Sequence, residues 1–156
     1  MQKNSGFTAY ELAVTIAIMA VIAAMTLPPY LKWWRSSRLR SGVSNLTVDL
    51  EMAKTRAIRE NASIVIEFST GSYIIFVDNN NDWNPNNGED VLLNRTLPAG
   101  VLIDTAELSF PTVADKLRFT GRGIPFDIVS NKEIQVKQAN KNRKITINRL
   151  GNIDVQ

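Results

Sequence analysis

The chain has 156 residues, a formal net charge of +3, no cysteine and no histidine. That length fits one domain plus an anchor, and the charge is too small to imply a nucleic-acid partner by itself. Without Cys or His the chain can build no disulfide, no Ser–His or Cys–His nucleophile pair and none of the common zinc sites.

Met1 to Ser5 is short and polar, with Lys3 as its only side-chain charge. Gly6-Phe7-Thr8-Ala9-Tyr10-Glu11 then leads into an apolar run from Leu12 to Leu31, and no charge falls in those 20 residues. At a helical rise of about 1.5 Å per residue the run covers about 30 Å, the hydrocarbon thickness of a bilayer. A carboxylate at mid-membrane would cost about 3 kcal/mol, so Glu11 belongs near the end of the span or beside a partner. A secretory signal has a shorter apolar region and is cut after it, and a plain anchor needs no Gly-Phe-x-x-x-Glu at its edge.

The polar leader, Gly6, Phe7 and Glu11, followed by an apolar helix, resemble a type IV prepilin signal. The resemblance implies that a prepilin peptidase cuts between Gly6 and Phe7 and methylates the new amino terminus on Phe7. It also implies that Glu11 neutralises the amino terminus of a neighbouring subunit during assembly. Glu11 and Phe7 are four residues apart and share a helix face. Ala9-Tyr10 departs mildly from the two aliphatic residues usual before that glutamate. The implied location is the bacterial inner membrane, single-pass, with inner-membrane lipid around the helix before assembly and the C-terminal domain in the periplasm. The charge bias points the other way. Lys32, Arg35, Arg38 and Arg40 follow the span, whereas Lys3 and the initiator amine precede it, which would place the C-terminal side in the cytoplasm.

Tyr30, Trp33 and Trp34 at the far edge of the span suit a membrane interface or packing on a globular domain. Pro28-Pro29 removes two backbone donors, which predicts a kink there. Beyond it Leu39, Val43, Leu46, Leu50, Ala53 and Ala57 step by 4, 3, 4, 3 and 4, an apolar stripe along a helix ending near Asn61. Asp49, Glu51, Lys54, Arg56, Arg59 and Glu60 read as its other faces.

From Ser63 the period changes to strands. Ile64–Phe68 and Tyr73–Val77 around Thr70-Gly71 read as a hairpin. Asp78 to Asp90 is a polar loop. Val91–Leu93, Val101–Ile103, Lys116–Phe119, Glu133–Lys137, Lys144–Asn148 and Ile153–Val155 are further short strands, with turns at Leu97–Gly100, Asn140–Asn142 and Leu150–Asn152. The expected fold is α+β and pilin-like: a long N-terminal helix packed on a C-terminal antiparallel β-sheet domain. The expected divisions are a leader at 1–6, a transmembrane or filament-core helix at 7–31, an amphipathic continuation at 32–61 and a β-rich domain at 62–156.

This layout resembles the GspH/FimT family, the type II secretion minor pseudopilin H and related type IV minor pilins. Leu117-Arg118-Phe119-x-Gly121-x-Gly123 and the closing Ile145-x-Ile147-x-x-x-Gly151-x-Ile153-x-Val155 carry it. The resemblance implies a non-catalytic subunit of a type IV pilus or type II secretion pseudopilus, partnered by other pilin or pseudopilin subunits. DNA uptake is the alternative. Some such pilins bind DNA through a C-terminal Gly-Arg-x-Arg, but here Gly151-Asn152-Ile153-Asp154 lacks both arginines. Lys132, Lys137, Lys141, Arg143, Lys144 and Arg149 read instead as the solvated face of a hairpin. No catalytic constellation and no Gly-rich phosphate loop is present; Gly121-Arg122-Gly123 lacks the rest of either signature.

One loop resembles a calcium site by spacing. Asp78, Asn80, Asp82 and Glu89 fall at the first, third, fifth and twelfth places of a calcium loop, where alternate oxygens wrap a hard cation. Trp83 stands where that loop needs Gly, and the entering element is a strand, so an Asn-rich surface loop is the other reading.

Overall fold

The structure is a computed structural model that describes residues 7–85, 88–108 and 110–156, apart from the side chains at positions 27 and 28. The expected leader and Gly6 lie outside the described residues. Two compact units are present, Met1–Arg35 and Ser36–Gln156.

Helix α1 runs from Ala9 to Glu60. Thr8 opens it as N-cap. The Glu11 carboxylate accepts from the Thr8 N–H (2.9 Å) and hydroxyl (2.9 Å), and the Thr8 hydroxyl accepts from the Glu11 N–H (3.2 Å). This reciprocal capping box satisfies donors that the first turn leaves without helical partners. From Leu12 to Leu31 the helix carries no charge on any face, and Leu12, Ile16, Ile18, Met19 and Ile22 are all exposed. Its two threonines turn inward on the helix itself: Thr15 donates to the Leu12 carbonyl (2.8 Å) and Thr26 to that of Ile22 (2.9 Å). Tyr30 stands edge-on to Trp34, with ring centroids 5.7 Å apart one turn away. The expected kink falls on Pro28, whose side chain is outside the described residues. The helical assignment continues through both prolines.

In the second unit the stripe is buried as its spacing predicts: Leu46, Leu50, Ala53 and Ala57 are fully buried and Leu39 and Val43 nearly so. The helix ends one residue before Asn61, which takes a left-handed φ of 47°. Ala62 N–H then reaches the Ala57 carbonyl (3.1 Å) and Asn61 N–H that of Ile58 (3.4 Å), so two orphan carbonyls are capped. Gly121 lies against this cap. A Cβ there would stand 2.5 Å from Asn61 Oδ1 and 3.0 Å from its carbonyl carbon, so only glycine lets the turn close on the helix end.

Eight strands follow: β1 (Ile64–Ser69), β2 (Ser72–Val77), β3 (Val91–Thr96), β4 (Leu102–Ile103), β5 (Lys116–Phe119), β6 (Lys132–Gln138), β7 (Lys141–Ile147) and β8 (Ile153–Val155). They form two antiparallel four-stranded sheets rather than one, ordered β3-β2-β1-β5 and β4-β6-β7-β8. The β1–β2 hairpin pairs Ser69 with Ser72 across Thr70-Gly71, as the sequence predicts. The β6–β7 turn is earlier than expected. Gln138 pairs with Lys141, so Ala139, at φ 49°, and Asn140 make the turn and β7 starts three residues sooner. One core joins the helix stripe to both sheets through Ile64, Ile66, Phe68, Ile75, Leu117, Phe119, Ile134, Val136, Ile145 and Ile147.

Candidate functional site

The N-terminal candidates lie at the start of α1. Phe7 is 87% exposed, and among the described residues Glu11 is engaged by Thr8, whose donors are neutral. Among the described residues no cation pairs with Glu11. The capping box fixes where the carboxylate points without bringing a cation to it from the described residues. A charge held in that state favours an ammonium or guanidinium brought to it from elsewhere.

The candidate calcium residues do share one loop, but their oxygens face the chain's own donors. Asp78 is buried and takes Arg118 Nη2 at 2.5 Å. It also accepts from the Asp82 N–H (3.2 Å) and Trp83 N–H (3.3 Å). Asp82 accepts from the Asn84 N–H (2.8 Å) and the Asn80 side-chain amide (3.0 Å), and Glu89 from the Asn79 N–H (2.9 Å). Trp83, at φ 68°, occupies the left-handed conformation for which a calcium loop uses glycine. Its ring covers the Arg118 guanidinium at 3.8 Å from the centroid, and Phe126 flanks the same group at 5.3 Å. Lys116 donates to the Trp83 carbonyl (2.8 Å) and Asn84 Oδ1 (3.1 Å) and pairs with Glu67 (3.2 Å). Two cations from β5 thus hold the loop. Among the described residues no group of three or more Asp or Glu is gathered where it could hold a metal.

A second polar cluster was not expected. Asp49 reads in the sequence as a solvated helix face, yet it is 5% exposed. It accepts from the Tyr73 hydroxyl (2.5 Å) and pairs with Arg95 Nε (2.8 Å), tying α1 to β2 and β3. Burial, then the Asp49 carboxylate, pushes the Tyr73 hydroxyl well above its ordinary pKa. The signal was present in the spacing: position 49 is three after Leu46 and four before Ala53, on the stripe's own edge.

Of the basic tail, Lys132, Lys137, Lys141, Arg143 and Lys144 lie on the β6–β7 hairpin, and Arg149 follows it in the turn before β8. Lys137 pairs with Asp104 and Lys144 with Glu133 (2.6 Å). The Lys137 ammonium holds the Asp104 carboxyl below its usual range. Gly151 is buried at φ 81°, with Lys54 Nζ on its carbonyl at 2.7 Å, and Asn152 and Asp154 are exposed.

Residues 43–151 match the family described as Type II transport protein GspH. No curated protein matches the chain. Among solved structures, the type IV minor pilin FimU of Pseudomonas aeruginosa is similar, with a TM-score of 0.58 at 17% identity, covering 78% of this chain and 90% of that one. The minor pseudopilin EpsH of the Vibrio cholerae type 2 secretion system is similar too. Its TM-score is 0.57 at 11% identity, with coverage of 76% and 96%. At those identities the likeness is one of fold.

Proposed function

The chain belongs to the GspH family of type II transport proteins, and from that premise we propose that it is a minor pilin or pseudopilin, processed and then built into a filament. It is a structural subunit and not an enzyme. Prepilin peptidase cuts between Gly6 and Phe7 and methylates the Phe7 amine. The precursor sits once across the bacterial inner membrane, with the domain from Ser36 onward in the periplasm. On assembly α1 leaves lipid for the helices of other pilin or pseudopilin subunits, and Glu11 meets the Phe7 amine of a neighbour.

One observation carries this reading. Leu12 to Leu31 holds no charge and none of its most apolar window is buried, whereas the apolar stripe of the second unit is buried throughout. A helix apolar on every face is stable only when something apolar surrounds it. Glu11, oriented but without a cation among the described residues, supports the pairing. The calcium reading has less support, because Arg118 already neutralises Asp78. The DNA-uptake reading has less still, because Asn152 and Asp154 stand where two arginines are needed.

Replacing Glu11 tests the pairing. Glu11→Ala should insert and be cleaved normally but reach the filament fraction at least tenfold less than the parent, a loss of about 1.4 kcal/mol or more. Normal incorporation would remove the Glu11–Phe7 pair. A mass spectrum of the protein from its host should show a chain starting at methylated Phe7; one starting at Met1 would overturn the processing step.

A further inference from the structure

A concavity of about 320 Å³ lies between α1 and the β6–β7 turn, lined by Ser36, Leu39, Arg40, Asn140, Lys141, Asn142 and Arg143. Of these side chains Arg40, Lys141 and Arg143 are cationic, Ser36, Asn140 and Asn142 are neutral hydrogen-bonding groups, and Leu39 is the apolar one. No acid lines it among the described residues. Elsewhere in this unit most cations have a carboxylate: Arg95 has Asp49, Arg118 has Asp78, Lys137 has Asp104 and Lys144 has Glu133. Arg40 and Arg143 form no hydrogen bond or ion pair among the described residues, and Lys141 has only the Ser36 hydroxyl at 3.4 Å. Converging like charges repel, so a group of this kind is stable when an anion sits among them.

We propose that this concavity binds a phosphate group, and that the phosphate comes from the headgroup of an anionic phospholipid. Guanidinium groups present paired N–H donors that match phosphate oxygens, and the ammonium of Lys141 adds a third charge. Asn140, Asn142 and Ser36 supply neutral donors around the same oxygens. The source follows from the chain itself. Arg40 comes nine residues after Leu31, where the apolar run ends, so by chain length it lies within about 30 Å of that end. Lys32, Arg35 and Arg38 fill the interval and bias the same region toward anionic headgroups. The cations that the charge-bias rule reads as a mark of the cytoplasmic side thus acquire a local use on the domain's own surface. The inference rests on the membrane-anchored reading above, since without an anchor no bilayer is within reach.

The test is native mass spectrometry of the full chain released from nanodiscs of mixed phosphatidylglycerol and phosphatidylcholine. The parent should retain one phosphatidylglycerol in clear preference to phosphatidylcholine. R40Q/R143Q should retain it about tenfold less, with an unchanged thermal midpoint because both side chains are exposed. R122Q/R149Q, which removes two exposed arginines elsewhere, should behave as the parent. Displacement of the lipid by millimolar inorganic phosphate would overturn the lipid as source and assign the pocket to the free anion. Equal retention of both lipids, or a parent-like R40Q/R143Q, would overturn the site. If R40Q/R143Q kept its lipid but lost co-purifying subunits, the surface would be a protein contact and the proposal would fail. Recovery of the chain outside the membrane fraction would strike at the anchored reading instead.

Discussion

Leu12 to Leu31 and Leu39 to Ala57 belong to one helix and draw on similar aliphatic residues, yet they meet opposite fates. Leu12, Ile16 and Ile22 are each more than half exposed, while Leu46, Leu50, Ala53 and Ala57 are fully buried. The difference lies in what separates the apolar residues. In the later stretch Glu51, Lys54 and Arg56 fill the remaining faces, so the stripe has one direction and the two sheets cover it. In the earlier stretch no charge marks a preferred face, so no single sheet of its own chain could bury it. Hydrophobicity alone says that a segment avoids water; the pattern of its interruptions says whether the partner is inside the chain or outside it.

The sharpest way to press that contrast is to unbalance a charge in the covered region. Arg118→Met strands a buried Asp78 and should cost about 4 kcal/mol in urea unfolding of the domain. Glu11→Ala, in the uncovered region, should leave the same midpoint unchanged. Next comes packing. Leu50→Ala should cost about 3 kcal/mol, because a fully buried side chain is removed without collapse of its surroundings, whereas Ile18→Ala should cost the domain nothing measurable. If both lowered the midpoint equally, the division between the two stretches would be wrong. The smallest effect is expected at Tyr73. Tyr73→Phe should cost about 1 kcal/mol at neutral pH, because Arg95 still holds Asp49. The Tyr73 hydroxyl is raised in the folded state above its unfolded value of about 10. Its contribution is therefore complete below about pH 10 and lost as the pH rises beyond it. Denaturant titrations near neutrality and at about pH 11 should show a steeper alkaline decline for the parent than for Tyr73→Phe.

Much of the fold was legible because its signals are local. The stripe, its stop beside Asn61, the Thr70-Gly71 hairpin and most strand positions rest on spacing within a few residues of chain. The two-sheet arrangement was not. It depends on β5 returning to β1 and β4 pairing with β6, and no local pattern encodes such partners. The same limit applies to the polar sites. Asp78 shows its carboxylate in the sequence, but its cation, Arg118, is 40 residues away. Spacing alone therefore suggested a metal. A cue did exist in Lys116-Leu117-Arg118-Phe119, where cations alternate with core residues in a strand of which all four side chains are buried. Asp49 was misread because its partners, Tyr73 and Arg95, are 24 and 46 residues on. At the amino terminus Glu11 was legible but Thr8 was not, although its pairing with Glu11 is a four-residue capping pattern open to recognition.

Thr15 and Thr26 return their hydroxyl protons to their own helix, and Thr8 with Glu11 closes its first turn. The outer wall of this stretch therefore asks for no dipole from whatever lies against it. Such a rod has no memory of its former surroundings. On the proposed assembly, acyl chains would be exchanged for side chains of another polypeptide without breaking a polar link to Thr15 or Thr26, and Glu11 would set how deep the rod comes to rest.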